Sequence, residues 1–142
     1  MDKLVILSKI ESLKRCVDRI KEKSPNSLEE LVSDIDSQDV IVLNLERAVQ
    51  VCVDIAAMII ADEDVKTPMS MVESFELIRQ LGVIDKVLTN KMQKCVGFRN
   101  VAVHQYQSIE WEIVFSIVKK DLSDFQHYAK QILDWLNSKD SP

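Results

Sequence analysis

At 142 residues the chain is the length of one domain, large enough to bury roughly two-thirds of its unfolded surface in a single core. With 2 glycines and 3 prolines it is too poor in turn formers for a hairpin-rich β fold, collagen or a flexible linker, and 46% hydrophobic residues exclude intrinsic disorder. A net charge of −5 excludes a generic basic coat for nucleic acid, so any contact with phosphate has to be local.

Leu4, Leu7, Ile10, Leu13, Val17 and Ile20 recur at steps of three and four, which predicts a first helix over 3–23. Ser24, Pro25 and Asn26 stop it. Ser27 and Glu30 then form a capping box, in which each side chain can satisfy the other's free backbone N–H, and a short helix follows.

From Val40 to Ala61 the chain is apolar almost all round. A membrane span competes with a buried helix here, but Glu46, Arg47 and Asp54 would each cost about 2.5–3.5 kcal/mol at the centre of a bilayer. A buried bundle helix is therefore expected, and no membrane partner. Asn44, Arg47, Gln50 and Asp54 share one face of it, as a structural network or as the wall of a cleft.

Asp62, Glu63 and Asp64 end this helix, and a second capping box, Ser70 with Glu73, starts another that runs to about Leu81 with Gly82 as its C-terminal cap. A further helix from near Asp85 carries Val87, Leu88, Met92, Cys95, Val96 and Phe98 on its apolar side. The last begins after Ser108, with Ile113, Ile117, Phe125, Ala129, Ile132 and Leu136 as its stripe out to about Lys139. Residues 1–137 are thus expected to form a single helical domain and 138–142 a frayed tail.

The chemistry on offer is sparse. Cys16, Cys52 and Cys95 are odd in number and set among apolar helical positions, so they read as buried thiols in a reducing compartment. The start Met1-Asp2-Lys3-Leu4 has no secretory pattern, which places the protein in the cytoplasm. Too little glycine remains for a P-loop or dinucleotide fold, and His104, His127 and the scattered cysteines lack zinc spacing. Neither a metal nor a cofactor is expected. His127 reads as a surface residue, and Trp111 and Trp135 as packing anchors.

Charge is unevenly spread. Residues 79–104 hold five basic groups, Arg79, Lys86, Lys91, Lys94 and Arg99, against one acid. They lead into Gly97-Phe98-Arg99-Asn100-Val101-Ala102-Val103-His104-Gln105-Tyr106. A permanent cation, a group that titrates near neutral pH and a phenol therefore lie within eight residues. Such a set suits RNA phosphodiester cleavage, with histidine moving protons and arginine holding the charge on the phosphoryl oxygens. Lys91 and Lys94 are the candidate contacts to the RNA backbone. On an unbroken helix Arg99 and His104 lie about 140° apart at ~100° per residue. Either the helix breaks inside the motif, or a second subunit supplies one partner across a two-fold axis; the second is favoured.

Arg99-x4-His104-x-Tyr106, with Asn100 after the arginine, resembles the signature of the HEPN superfamily in its HepT-like form. VLNLERAVQ with VDIA, then SFELI, then KMQKCVGFRNVAVHQYQ, resemble that family in the same order. The resemblance implies an all-α, up-and-down bundle of about five helices that forms a homodimer, with the two motifs in one composite cleft. It implies a metal-independent endoribonuclease toxin whose catalytic residues are Arg99, His104 and Asn100. Its partners would be RNA and an MntA-like nucleotidyltransferase antitoxin, which silences it by attaching AMP to Tyr106. The alternative is a noncatalytic HEPN subunit that binds a small nucleotidyltransferase.

Overall fold

The computed structural model describes residues 2–139. Among them it contains seven α-helices and no strand: α1 Lys3–Lys23, α2 Leu28–Ser33, α3 Ile35–Ala61, α4 Met71–Gln80, α5 Lys86–His104, α6 Trp111–Ser116 and α7 Ser123–Lys139. The architecture is an up-and-down bundle built on α3, which packs along α1, α4 and α5, while α7 closes against α1 and α5. Among the described residues no helix is long and apolar enough to cross a membrane.

Side chains written into the sequence set the helix ends. The Asp2 carboxylate accepts from the Leu4 and Val5 N–H groups at 3.0 and 3.3 Å. Ser27 Oγ accepts from Glu30 N–H at 3.2 Å, and the Glu30 carboxylate reaches back to the Asn26 N–H at 2.9 Å, one residue earlier than a reciprocal box requires. Ser70 caps α4 in the same way, but Glu73 turns aside to Lys66. Gly82, at φ +82°, ends α4: its N–H bonds to Arg79 O and that of Val83 to Ile78 O, both at 2.9 Å. This is the paired closure that a left-handed residue permits.

The core runs through every long helix, and Ile6, Ile20, Ile41, Ile55, Ile59, Phe75, Ile78, Met92, Tyr128 and Ile132 are fully enclosed in it. Four sequence expectations need correction. Leu4 is exposed and Ile6 is buried in its place; three successive steps of three from Leu4 to Leu13 each lag an α-helix by about 60°, so Leu4 faces away from Leu13. The long helix starts at Ile35 rather than near Val40, because Asp34 caps it at Ser37 N and Gln38 Nε2 ties it to the carbonyls of Leu31 and Val32. On α5, Val87 in the first turn is exposed and Cys95 is half-buried, because the buried stripe runs through Leu88, Met92 and Val96, whereas Cys16 and Cys52 are buried as expected.

The fourth correction concerns the final helix, which is in three pieces. Between α6 and α7, Ile117–Asp121 form a π turn. The wider turn accommodates two successive four-residue steps, so Val114, Val118 and Leu122 are buried and Ile113 is left 49% exposed. α7 continues through Ser138 and Lys139, where Lys139 Nζ lies 4.5 Å from the Trp135 ring centre and pairs with Glu63. The rest of the expected tail, 140–142, lies outside the described residues.

Candidate active site

α5 stays helical from Gly97 through Arg99 and Asn100 to His104, where it ends. Gln105 leaves the helix at φ −142°, ψ 54°, with its N–H still on Val101 O at 2.8 Å. Tyr106–Ser108 then turn once as a short 3-10 segment, and buried Ile109 pins its far side. The motif therefore sits at one end of the bundle, half on a rigid helix and half on a tight turn.

Arg99 is half-buried between α5 and α3. Its guanidinium donates to Gln50 Oε1 and to Asn100 Oδ1, each at 3.3 Å, and its Nε is buried with no acceptor among the described residues. Behind it, Gln50 Nε2 donates to Asp54 Oδ1 at 2.9 Å, and the other Asp54 oxygen pairs with Lys9 at 3.5 Å. A chain of polar contacts thus runs Lys9, Asp54, Gln50, Arg99, Asn100 across α1, α3 and α5. It accounts for two of the four polar positions on α3. Asn44 turns inward and donates to Val40 O at 2.8 Å, while Arg47 stays exposed. The acceptors on Arg99 are neutral amides, so its positive charge is positioned without being cancelled.

Asn100 and His104 are exposed on the same face of α5, four residues apart. The unbroken helix leaves Arg99 and His104 about 140° apart with a rise of about 7.5 Å between them. A break in the motif is thereby removed as the way to unite them within one chain.

Tyr106 is 41% exposed. Its hydroxyl donates to Asp39 Oδ1 at the start of α3 at 3.0 Å, and its ring meets Trp111 edge-on, centre to centre 6.3 Å. Partial burial first, then the Asp39 hydrogen bond and the nearby charges of Asp39 and Glu46, push the phenol up to about 12.

The two lysines have different surroundings. Lys91 Nζ pairs at 3.2 Å with the buried carboxylate of Asp124 on α7, so its charge offsets a desolvated anion. Lys94 is exposed, with no carboxylate within ion-pair distance among the described residues. Both line a groove of about 690 Å3 between α5 and α6 whose walls include Glu110, Asp121 and Asp124. His127 is exposed, and Trp111 and Trp135 pack half-buried against the core. No group of three or more His, Cys, Asp or Glu side chains converges among the described residues.

Sequence reasoning missed Gln50 as the residue that holds Arg99, and Asp39 as the partner of Tyr106. In the sequence Gln50 stands out only as part of a polar face. For Asp39 no local signal exists, because 67 residues separate it from its partner.

Comparison with known proteins places the chain in a family. Residues 13–132 match the family described as ribonuclease HepT-like. The mRNA nuclease HepT of Shewanella oneidensis is 36% identical over 128 residues, covering 90% of this chain and 96% of that protein. The tRNA nuclease HepT of Aphanizomenon flos-aquae is 23% identical over 136 residues, covering 96% and 92%. The tri-AMPylated HEPN toxin of Shewanella oneidensis, solved in complex with an MNT antitoxin, superimposes with a TM-score of 0.87 at 34% identity, covering 94% of this chain and 99% of that one. The chain belongs to the HepT-like ribonuclease family.

Proposed function

We propose that the protein is the toxin half of a toxin–antitoxin pair, a metal-independent endoribonuclease that cuts RNA in a cleft shared by two protomers. One observation carries this reading: Arg99 is fixed by the neutral amides of Gln50 and Asn100 at the end of the bundle that also exposes His104. A guanidinium tethered but uncompensated is a ready receptor for a phosphodiester.

In the reaction the ribose 2′-hydroxyl loses a proton as its oxygen attacks phosphorus, and the leaving 5′-oxygen gains one. His104 moves these protons, a contribution of about 10²–10⁴-fold. Arg99 holds the charge that grows on the non-bridging oxygens, worth roughly 3 kcal/mol. Asn100 aligns Arg99 through its side-chain oxygen and stands one turn before His104. Because an intact α5 keeps Arg99 and His104 on different faces, a two-fold homodimer brings one protomer's arginine to its partner's histidine. Lys94 extends the positive surface toward the RNA backbone; Lys91 does so less, since it also holds Asp124.

Tyr106 is the switch. A nucleotidyltransferase of the MntA type transfers AMP from ATP to its hydroxyl oxygen, with pyrophosphate leaving and the phenolic proton lost, which ends the hydrogen bond to Asp39 and puts a phosphate charge where the RNA backbone passes. The same reading makes residues 1–137 one working domain in the cytoplasm.

The test is cleavage of RNA by the purified protein in EDTA. Wild type cuts, while Arg99→Ala and His104→Ala fold normally and do not. Equal, negligible cleavage by all three contradicts the nuclease and leaves a noncatalytic binding subunit. Tyr106→Phe, incubated with ATP and the partner enzyme, gains no AMP by mass, whereas wild type does.

A further inference from the structure

Arg47 takes no part in the network that holds Arg99. It is exposed one turn before Gln50, and with Arg15 and Arg19 of α1 it lines an open groove of about 760 Å3 between α1 and α3. Ser12, Asn44 and Gln50 supply the remaining polar lining, and no carboxylate lines the groove. Arg19 is paired with Glu22 at 3.0 Å, and Arg15 donates only to the Ser12 hydroxyl at 3.2 Å. Arg47 has no hydrogen bond or ion pair among the described residues.

Two features direct this groove toward the site. Gln50 lines its end and is also the residue whose Oε1 accepts from Arg99 at 3.3 Å, so groove and motif share a wall. From Val40 to Val51 the α3 wall rises about 16 Å, the length of roughly four to five stacked nucleotides. In a chain of net charge −5, a trough lined by three guanidinium groups and no carboxylate, with only Arg19 paired to an acid at its edge, is a local exception that draws a polyanion. A second copy of the chain fits it poorly, because a two-fold contact through this patch would set arginine against arginine.

We propose that the α1–α3 groove is the track for the RNA strand flanking the scissile linkage, with Arg15, Arg19 and Arg47 on successive backbone phosphates and Gln50 as the joint to Arg99. This rests on the nuclease reading for its direction, and it adds a binding surface on a different pair of helices from Lys91 and Lys94. The contacts are to phosphates, so the groove sets affinity and register and reads no base.

The test uses binding alone. A fluorescent single-stranded RNA with every ribose 2′-O-methylated cannot be cut, so anisotropy reports affinity whether or not the protein is a nuclease. For Arg15→Gln/Arg47→Gln, affinity at low salt falls at least about tenfold, and the slope of log K against log salt becomes shallower by about 1.4, from two charges at about 0.7 each on a single strand. Arg15→Lys/Arg47→Lys recovers the slope. Lys130→Gln, which removes a distant charge paired with Asp134, binds like wild type. Unchanged affinity and slope in the glutamine pair overturn the proposal, as does a loss of binding accompanied by a change of oligomeric state in sedimentation. Binding through the groove without cleavage of ordinary RNA by wild type would sink the nuclease reading and leave the track standing.

Discussion

The middle of α3 and its N-terminal end meet a tyrosine in opposite ways. At the apolar middle Tyr128 is fully buried, its hydroxyl donates to the Cys52 carbonyl at 2.8 Å, and its ring stands edge-on to Phe75 at 5.9 Å. At the polar end Tyr106 is half in solvent, and its hydroxyl donates to a carboxylate, Asp39, at 3.0 Å. The first partner is backbone, fixed by the fold; the second is an exposed side chain on a neighbouring element. One helix therefore builds a body that is costly to disturb and, some three turns away, a surface whose contacts can be exchanged.

Substitutions in the buried body have the largest effect. Phe75→Ala empties a fully buried ring position and should cost about 3–5 kcal/mol in urea denaturation. Loss of less than about 1 kcal/mol would mean that the body is loosely packed. Next in size, Gln50→Ala removes the contact that positions Arg99 and should lower RNA cleavage about tenfold with little change in stability, as expected for loss of one charge-assisted hydrogen bond. Equal losses of stability and cleavage would make Gln50 merely structural. Tyr128→Phe should cost about 1 kcal/mol, the net value of one hydrogen bond, and Tyr106→Phe less than half of that.

A pH measurement sharpens the same contrast. The Tyr106 phenol, pushed up to about 12 from an ordinary 10 chiefly by burial and Asp39, holds its proton more tightly in the folded protein than in the unfolded chain. Its share of stability is complete below pH 10 and is lost as pH rises toward 12. Asp39→Asn should move the phenolate absorbance change to lower pH, and an unmoved titration would show that Asp39 does not perturb the phenol. The smallest effect lies in the half-buried Glu76–Arg79 pair at the surface of α4, where the hydrogen bond from Arg79 holds the Glu76 carboxyl at about 2. That contribution is present above the usual 4.5 and is lost as pH falls toward 2, so Arg79→Gln should raise the Glu76 midpoint in an NMR titration.

Local rules made much of this molecule legible. The starts at Ser27 and Ser70, the closure at Gly82 and the run of α5 all follow from contacts within five residues, which is the range over which capping and periodicity act. The motif was legible by composition, since Arg99, His104 and Tyr106 are rare groups set close together. What could not be read depends on how helices pack. Gln50 lies 49 residues from Arg99, Asp39 67 from Tyr106, and Asp124 33 from Lys91. The π turn escaped notice for another reason: Ile113 and Ile117 fit a regular stripe as well as Val114 and Val118 do, and only burial separates them.

In the proposed mechanism one phosphodiester is cut between an arginine of one protomer and a histidine of the other. Mixing inactive Arg99→Ala with inactive His104→Ala, after dissociation and reassociation, tests it most directly. Half of the dimers then carry one variant of each kind, and each of these holds one intact pairing of two, so about a quarter of wild-type cleavage should return. A mixture as inactive as either parent, with mixed dimers demonstrated by mass, would contradict the shared cleft.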